Sequence, residues 1–327
     1  MRILVTGGSG FIGTNLIEAL QQRGHHVLSA DPIAPRNPAH TAIWRKMDLC
    51  RRDEVLATVA DVQPEAIYHL GARTDLHGRT PADYAANTDG VKNLIEAIRS
   101  TGTVQRVFFA SSRMVCRIGY QPTGDNDYCP STPYGESKVE TERIVRAADL
   151  PIQWCLFRPT SIWGPWFGVP YKDFFMAIAR GRYVHPRGRR IRKSFGYVGN
   201  SVHQLAALLT APEALFHRKT FYLADAPLDV EQWARLISAE LGRPAPRQVP
   251  YGVLKAAALA GDFVKRIGFK EPPLTSFRLD NLLTEMVHDT AAIDRIAGAP
   301  PNDLASGVRQ TVGWLRSMGE IEKVLNR

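Results

Sequence analysis

Along the first half of the chain, short apolar runs alternate with stretches whose apolar residues recur at helical spacing. Residues 3–6, 26–30, 66–70, 106–110 and 152–158 are dense in β-branched and aromatic side chains and read as strands. Residues 15–22, 53–60, 82–100 and 134–148 repeat apolar positions three or four apart and read as helices. Strands alternating with helices predict an α/β fold, a doubly wound parallel sheet covered on both faces, with ligands beyond the carboxyl ends of its strands. After Arg158-Pro159 the pattern changes to shorter helices, frequent prolines and the turn-rich run Gly164-Pro165-Trp166-Phe167-Gly168-Val169-Pro170. The expected division is a first domain over 1–159, to which 194–225 returns, and a smaller region formed by 160–193 and 226–327.

The first strand runs straight into Gly7-Gly8-Ser9-Gly10-Phe11-Ile12-Gly13, which opens the first helix. Strand, tight glycine turn and helix start together present unpaired N–H groups and the positive end of a helix dipole to an anion. Gly7 permits the turn, Gly10 lets backbone approach a pyrophosphate, and Gly13 lets helix and strand pack closely, the Rossmann-type dinucleotide arrangement. Asp31 ends the second strand, where a carboxylate that accepts from a ribose 2′-hydroxyl is expected. It repels a 2′-phosphate, so the expected cofactor is NAD; nearby Arg36 is the residue that would favour NADP instead.

Composition narrows the partners. The formal net charge is +9, and Arg180, Arg182, Arg187, Arg189, Arg190, Arg192 and Lys193 crowd one segment, which favours an anionic partner such as a nucleotide diphosphate, a nucleic acid or an acidic membrane surface. The four cysteines lack metal-ligand spacing, so no metal is expected, and a reduced cytoplasmic setting is the simplest reading. No apolar run is long enough to span a bilayer, and the N-terminus reads as a strand rather than a signal peptide. The best membrane candidate, 253–261, is short and carries Lys255; it reads as a packed helix that leaves surface association open.

Tyr134-Gly135-Glu136-Ser137-Lys138 opens the fourth helix, with Tyr134 and Lys138 one turn apart on one face. A phenol with a pKa near ~10 becomes a useful base only where nearby positive charge favours phenolate. Ser112, at the end of the strand 106–110, is placed to bond the same substrate oxygen.

With these residues in order, the chain resembles the extended short-chain dehydrogenase/reductases of the NAD-dependent epimerase/dehydratase family, which act on nucleotide sugars. The resemblance covers nearly the full length. It matches the glycine motif, an Asp-Leu pair at Asp48-Leu49, and a His-x-Ala-Ala motif at His69-Leu70-Gly71-Ala72, where Gly71 replaces alanine. It also matches Asn87, the Ser112, Tyr134 and Lys138 triad, and Arg158-Pro159…Trp163-Gly164-Pro165. The resemblance implies that Phe11, Ile12, Leu70, Gly71, Ala72, Arg73, Pro159 and Ile162 line the cofactor and that Asn87 steadies the site. It further implies that Lys193 and Arg278 hold the substrate diphosphate, and that the chain forms a homodimer through 82–100 and 134–148.

The departures narrow the reaction. Where the family's dehydratases carry an Asp-Glu pair, this chain has Arg113-Met114, neither of which can supply the acid and base that water elimination requires. Arg113 instead borders the substrate. The expected function is an NAD-dependent nucleotide-sugar 4-epimerase, with a 4-keto-sugar reductase as the alternative. A hydroxysteroid or flavonoid alcohol dehydrogenase ranks third, since the basic second region argues against an uncharged substrate. A noncatalytic nucleic-acid binder is disfavoured by the intact triad.

Overall fold

The computed structural model describes residues 1–268 and 274–325. The chain separates into two compact units, one of Met1–Ile162, Gly196–Asp225 and Asp289–Pro301, the other of Trp163–Phe195, Ala226–His288 and Asn302–Arg327.

In the first unit, β1 (Arg2–Thr6), α1 (Phe11–Gln22), β2 (His26–Asp31), β3 (Trp44–Lys46), α2 (Arg52–Val62) and β4 (Ala66–His69) lead into α3 (Ala85–Ser100), β5 (Arg106–Ala110), α4 (Pro133–Ala147) and β6 (Gln153–Pro159). The chain returns with α5 (Val198–Thr210) and β7 (Thr220–Leu223). The strands form one seven-stranded parallel sheet ordered β7-β6-β5-β4-β1-β2-β3. β1 lies between β2 and β4, with Val5 opposite both Ser29 and Tyr68. From β1 the chain builds outward in both directions, so the carboxyl end of β1 is the switch point at which such sheets bind ligands. Ile3, Leu4, Val5, Ile67, Val107, Phe108 and Phe109 are fully buried in consecutive runs, as expected of strands covered on both faces.

Four details differ from the sequence reading. β3 was not anticipated. The 82–100 helix begins at Ala85, after a separate 3-10 turn over Pro81–Tyr84. Residues 289–301 belong to the first unit rather than to the region 226–327: His203 Nε2 lies 2.9 Å from the Ala297 carbonyl, and Gln204 Nε2 reaches Asp294 at 3.4 Å. The unit boundaries also leave 160–162 with the first unit and 194–195 with the second.

The second unit is organised by aromatic packing. Trp233 stacks on Phe174 at 4.8 Å between centroids and meets Trp163 at 5.2 Å and Phe195 at 5.3 Å. A smaller cluster joins Leu254 and Ala258 of the helix Tyr251–Arg266 to Leu279 of the helix Ser276–Leu283.

Candidate active site

The glycine turn is shaped by what it touches. Gly7 has φ +73°, and a Cβ there would sit 2.6 Å from the Leu70 carbonyl carbon and 2.5 Å from Gly71 N. A Cβ on Gly13 would lie 2.3 Å from Gly7 O. The turn therefore rests directly against the loop after β4 at Gly7 and against the start of α1 at Gly13, and a side chain at either position would force its pair apart. At Gly71 a Cβ would meet Leu49 Cδ1 at 2.6 Å, so an alanine there would require the tip of Leu49 to turn aside. No side chain caps α1 at Gly10, and no acidic residue occupies its first turn, which leaves the helix start electrostatically suited to a phosphate.

Asp31 is buried, and its carboxylate accepts from Ser9 N at 3.2 Å and Ile33 N at 3.0 Å. Burial raises its pKa, against the opposing effect of these two bonds and of Arg36. It thus joins the end of β2 to the glycine turn. Asp48 accepts from Cys50 N at 2.9 Å, and its own N–H donates to Glu54 at 2.9 Å, which shapes the turn before α2. These groups fit a dinucleotide: a close backbone turn, an uncapped helix start and a carboxylate at the second strand's end.

The loop after β4 is held by Asn87 on α3. Asn87 Oδ1 accepts from Arg73 N at 2.9 Å, and its Nδ2 donates to Arg73 O at 3.0 Å and to Ser137 Oγ at 2.9 Å. One side chain therefore ties Gly71-Ala72-Arg73 to α4. Arg73 pairs with Asp75 and lies over the Tyr84 ring, whose centroid is 5.8 Å from that of Tyr134.

Ser112, Tyr134 and Lys138 come together at the end of β5. Pro133 and the Thr132 cap, whose side chain accepts from Gly135 N at 3.0 Å, start α4 so that Tyr134 falls in its first turn. Ser112 accepts from Met114 N at 3.1 Å. Lys138 is buried, and its Nζ donates to Ala110 O at 3.0 Å. Burial pushes Tyr134 up to about 12, partly offset by the Ser112 side chain and by the Arg113 charge. Burial also lowers Lys138 to about 8, with Glu142 acting the other way. Arg113 supplies the charge that lowers the phenol's pKa in this structure, and the Lys138 ammonium is bonded to a strand carbonyl.

Sequence reading missed the support beneath these residues. Glu142, one turn beyond Lys138, is fully buried and takes Arg158 on both carboxylate oxygens at 2.8 Å, Ser111 Oγ at 2.6 Å and Tyr128 Oη at 3.0 Å. Arg158 continues to Asp125 O and Tyr222 Oη. This network bolts α4 to the ends of β5 and β6; the continuing four-residue spacing Tyr134, Lys138, Glu142 was its available signal. Pro159 ends β6, and Ile162 is buried just beyond.

The two diphosphate candidates lie in the second unit. Lys193 is buried, with its Nζ on the carbonyls of Asn281 (2.7 Å) and Thr284, a stitch between a strand and the end of the helix Ser276–Leu283. Arg278 is exposed on the first turn of that helix. Among the described residues, no helix is long and apolar enough to cross a membrane.

A 3-beta-hydroxysteroid dehydrogenase of Mycolicibacterium neoaurum is 28% identical over 323 residues, covering 92% of this chain and 87% of that one. The N-acetyl-alpha-D-glucosaminyl-diphospho-ditrans,octacis-undecaprenol 4-epimerase of Escherichia coli O157:H7 is 24% identical over 95% of this chain and 94% of its own. The crystal structure of the UDP-glucose 4-epimerase of Thermotoga maritima has the same fold, with a TM-score of 0.74 and 21% identity over 98% of this chain and all of that one. The profile of the NAD dependent epimerase/dehydratase family matches residues 3–224, and the chain belongs to that family.

Proposed function

We propose that the protein is an NAD-dependent 4-epimerase of a nucleotide-diphosphate sugar. The observation that carries this reading is the gathering of buried Ser112, Tyr134 and Lys138 at the end of β5, with no carboxylic acid at 113 or 114. That equipment suits the removal and return of one proton and nothing more. Ser112 Oγ positions the C4 oxygen, and Tyr134 Oη takes the hydroxyl proton and later returns it. When bound, NAD accepts the hydride and gives it back, and its positively charged ring favours the phenolate. With the phenol near 12, Arg113 alone leaves it a weak base at neutral pH. Lys138 anchors the helix start and reaches the cofactor ribose. Asp31 selects the free 2′-hydroxyl. Support for the substrate comes from the neighbour named as a UDP-glucose 4-epimerase.

A second reading, an alcohol dehydrogenase acting on a hydroxysteroid, is favoured by the relative named for that activity and by the occupied ammonium of Lys193. Both readings use the same triad and differ in what becomes of the hydride. Product analysis by NMR in deuterated water, with UDP-hexoses and no added NADH, separates them. Inversion at C4 without deuterium at C5 is the expected result. Deuterium at C5 with loss of the 6-hydroxyl would mean dehydration. Inert UDP-hexoses together with NAD-dependent oxidation of a 3β-hydroxysteroid would install the second reading.

A further inference from the structure

The helix Tyr251–Arg266 is apolar on two opposite faces, and its own unit covers only one of them. Leu254 and Ala258 are buried against Leu279. On the other side Val253, Leu259, Phe263 and Ile267, just past the last turn, are 57% to 69% exposed. Leu259, Phe263 and Ile267 follow at four-residue steps, and exposed Ala256 and Ala260 complete the face between them. A helix that is apolar all round belongs in a core or against a second apolar phase. A run of large exposed apolar side chains on one helix is also far from the scattered exposure of an ordinary surface.

Cations flank this face. Lys255 and Arg266 are exposed on the helix itself, beside Leu259. At its start, the turn after the strand Val184–Pro186 brings Arg187, Arg189 and Arg190, all exposed. That turn is tied to the helix: Arg187 N donates to Val249 O at 2.9 Å, and the Arg189 guanidinium lies 4.9 Å over the Tyr251 ring. Arg190 has Asp229 at 3.6 Å, and the remaining acid on the helix, Asp262, accepts from Ser276 N at 3.2 Å. An apolar stripe bordered by cations matches a layer that is apolar inside and anionic at its surface. A second copy of the chain is a poor match, because self-pairing would oppose like charges at both ends of the stripe.

We propose that the helix Tyr251–Arg266 docks this protein on the surface of an anionic lipid bilayer, with Leu259, Phe263 and Ile267 entering the headgroup boundary and Lys255, Arg266 and the Arg187–Arg190 turn meeting lipid phosphates. The protein lies on the membrane and does not span it. This docking is independent of which substrate is turned over.

Flotation of the full-length protein with vesicles tests it. Phosphatidylglycerol–phosphatidylcholine vesicles should carry the protein upward, and pure phosphatidylcholine vesicles should carry much less. Raising salt from about 0.1 M to about 1 M, where the screening length falls from about 10 Å to about 3 Å, should reduce the bound fraction. Leu259→Glu and Phe263→Glu should each lower partitioning by about tenfold or more, because each places a charge where an apolar side chain would be buried. Both positions face solvent, and an unchanged far-UV circular dichroism spectrum would confirm folding. Absence of wild-type flotation with anionic vesicles, or equal flotation of Leu259→Glu/Phe263→Glu, would overturn the proposal. So would a dimer by ultracentrifugation that those substitutions dissolve while vesicles remain unbound, which would assign the face to a second copy.

Discussion

Each unit contains a buried lysine that a sequence motif singles out, and each ammonium binds backbone carbonyls. In the first unit Lys138 Nζ meets Ala110 O at 3.0 Å; in the second Lys193 Nζ meets Asn281 O at 2.7 Å and also Thr284 O. The bonds are alike, but their surroundings are not. Lys138 stands one turn from a buried phenol whose ionisation Ser112 favours, and Glu142 lies one turn beyond. Lys193 joins a two-residue strand to a helix end. A cation in a motif position is therefore evidence of chemistry only when other reactive groups converge on it, and the first unit alone gathers them around its lysine.

The comparison can be broken at its reactive end first. Tyr134→Phe removes only the ionisable oxygen, so turnover should fall by about 10²–10⁴-fold while NAD binding, measured by calorimetry, stays close to wild type. Near-normal turnover would remove the phenol from the reaction.

The lysines should then separate. Lys138→Met should cost turnover and NAD affinity together. Lys193→Met deprives two half-buried carbonyls of their donor, at about 1 kcal/mol of stability, and should lower Tm while leaving NAD affinity unchanged. Weakened nucleotide-sugar binding in Lys193→Met at an unchanged Tm would restore its reading as a diphosphate ligand.

A smaller effect sharpens the picture of the strand ends as a buried, preset site. Burial, with the Lys138 charge added, lowers His69 from 6.5 to about 3. Below pH 6.5 the unfolded chain binds this proton and the folded one does not, so the contribution of His69 is full above that pH and is lost as pH falls toward 3. His69→Asn can keep a bond to Thr6 Oγ1, which now meets His69 Nδ1 at 2.8 Å. Its Tm should decline less steeply with acid over that interval; a slope identical to wild type would show that His69 does not titrate as described.

The sheet was legible because parallel strands buried on both faces need continuous apolar runs, and β1, β4, β5 and β6 have them. β3 was not, because Trp44–Lys46 is short and its side chains are mostly exposed, so nothing in its pattern distinguishes it from a loop. The glycine turn and the triad were legible because each is a local spacing. What escaped is non-local: Leu49 packs against Gly71, Arg158 finds Glu142, and Ala297 finds His203. Burial, the largest influence on Tyr134, is likewise invisible in a sequence, which displays neighbouring charges only.

The central claim is that Tyr134 and its neighbours allow hydride to leave C4 and return to the same carbon. A UDP-hexose carrying deuterium at C4, incubated with purified protein and no added NADH, tests it directly. Inverted product that keeps its deuterium at C4 is the expected result. Inverted product with hydrogen from solvent at C4, or no inversion with any UDP-hexose, would contradict it.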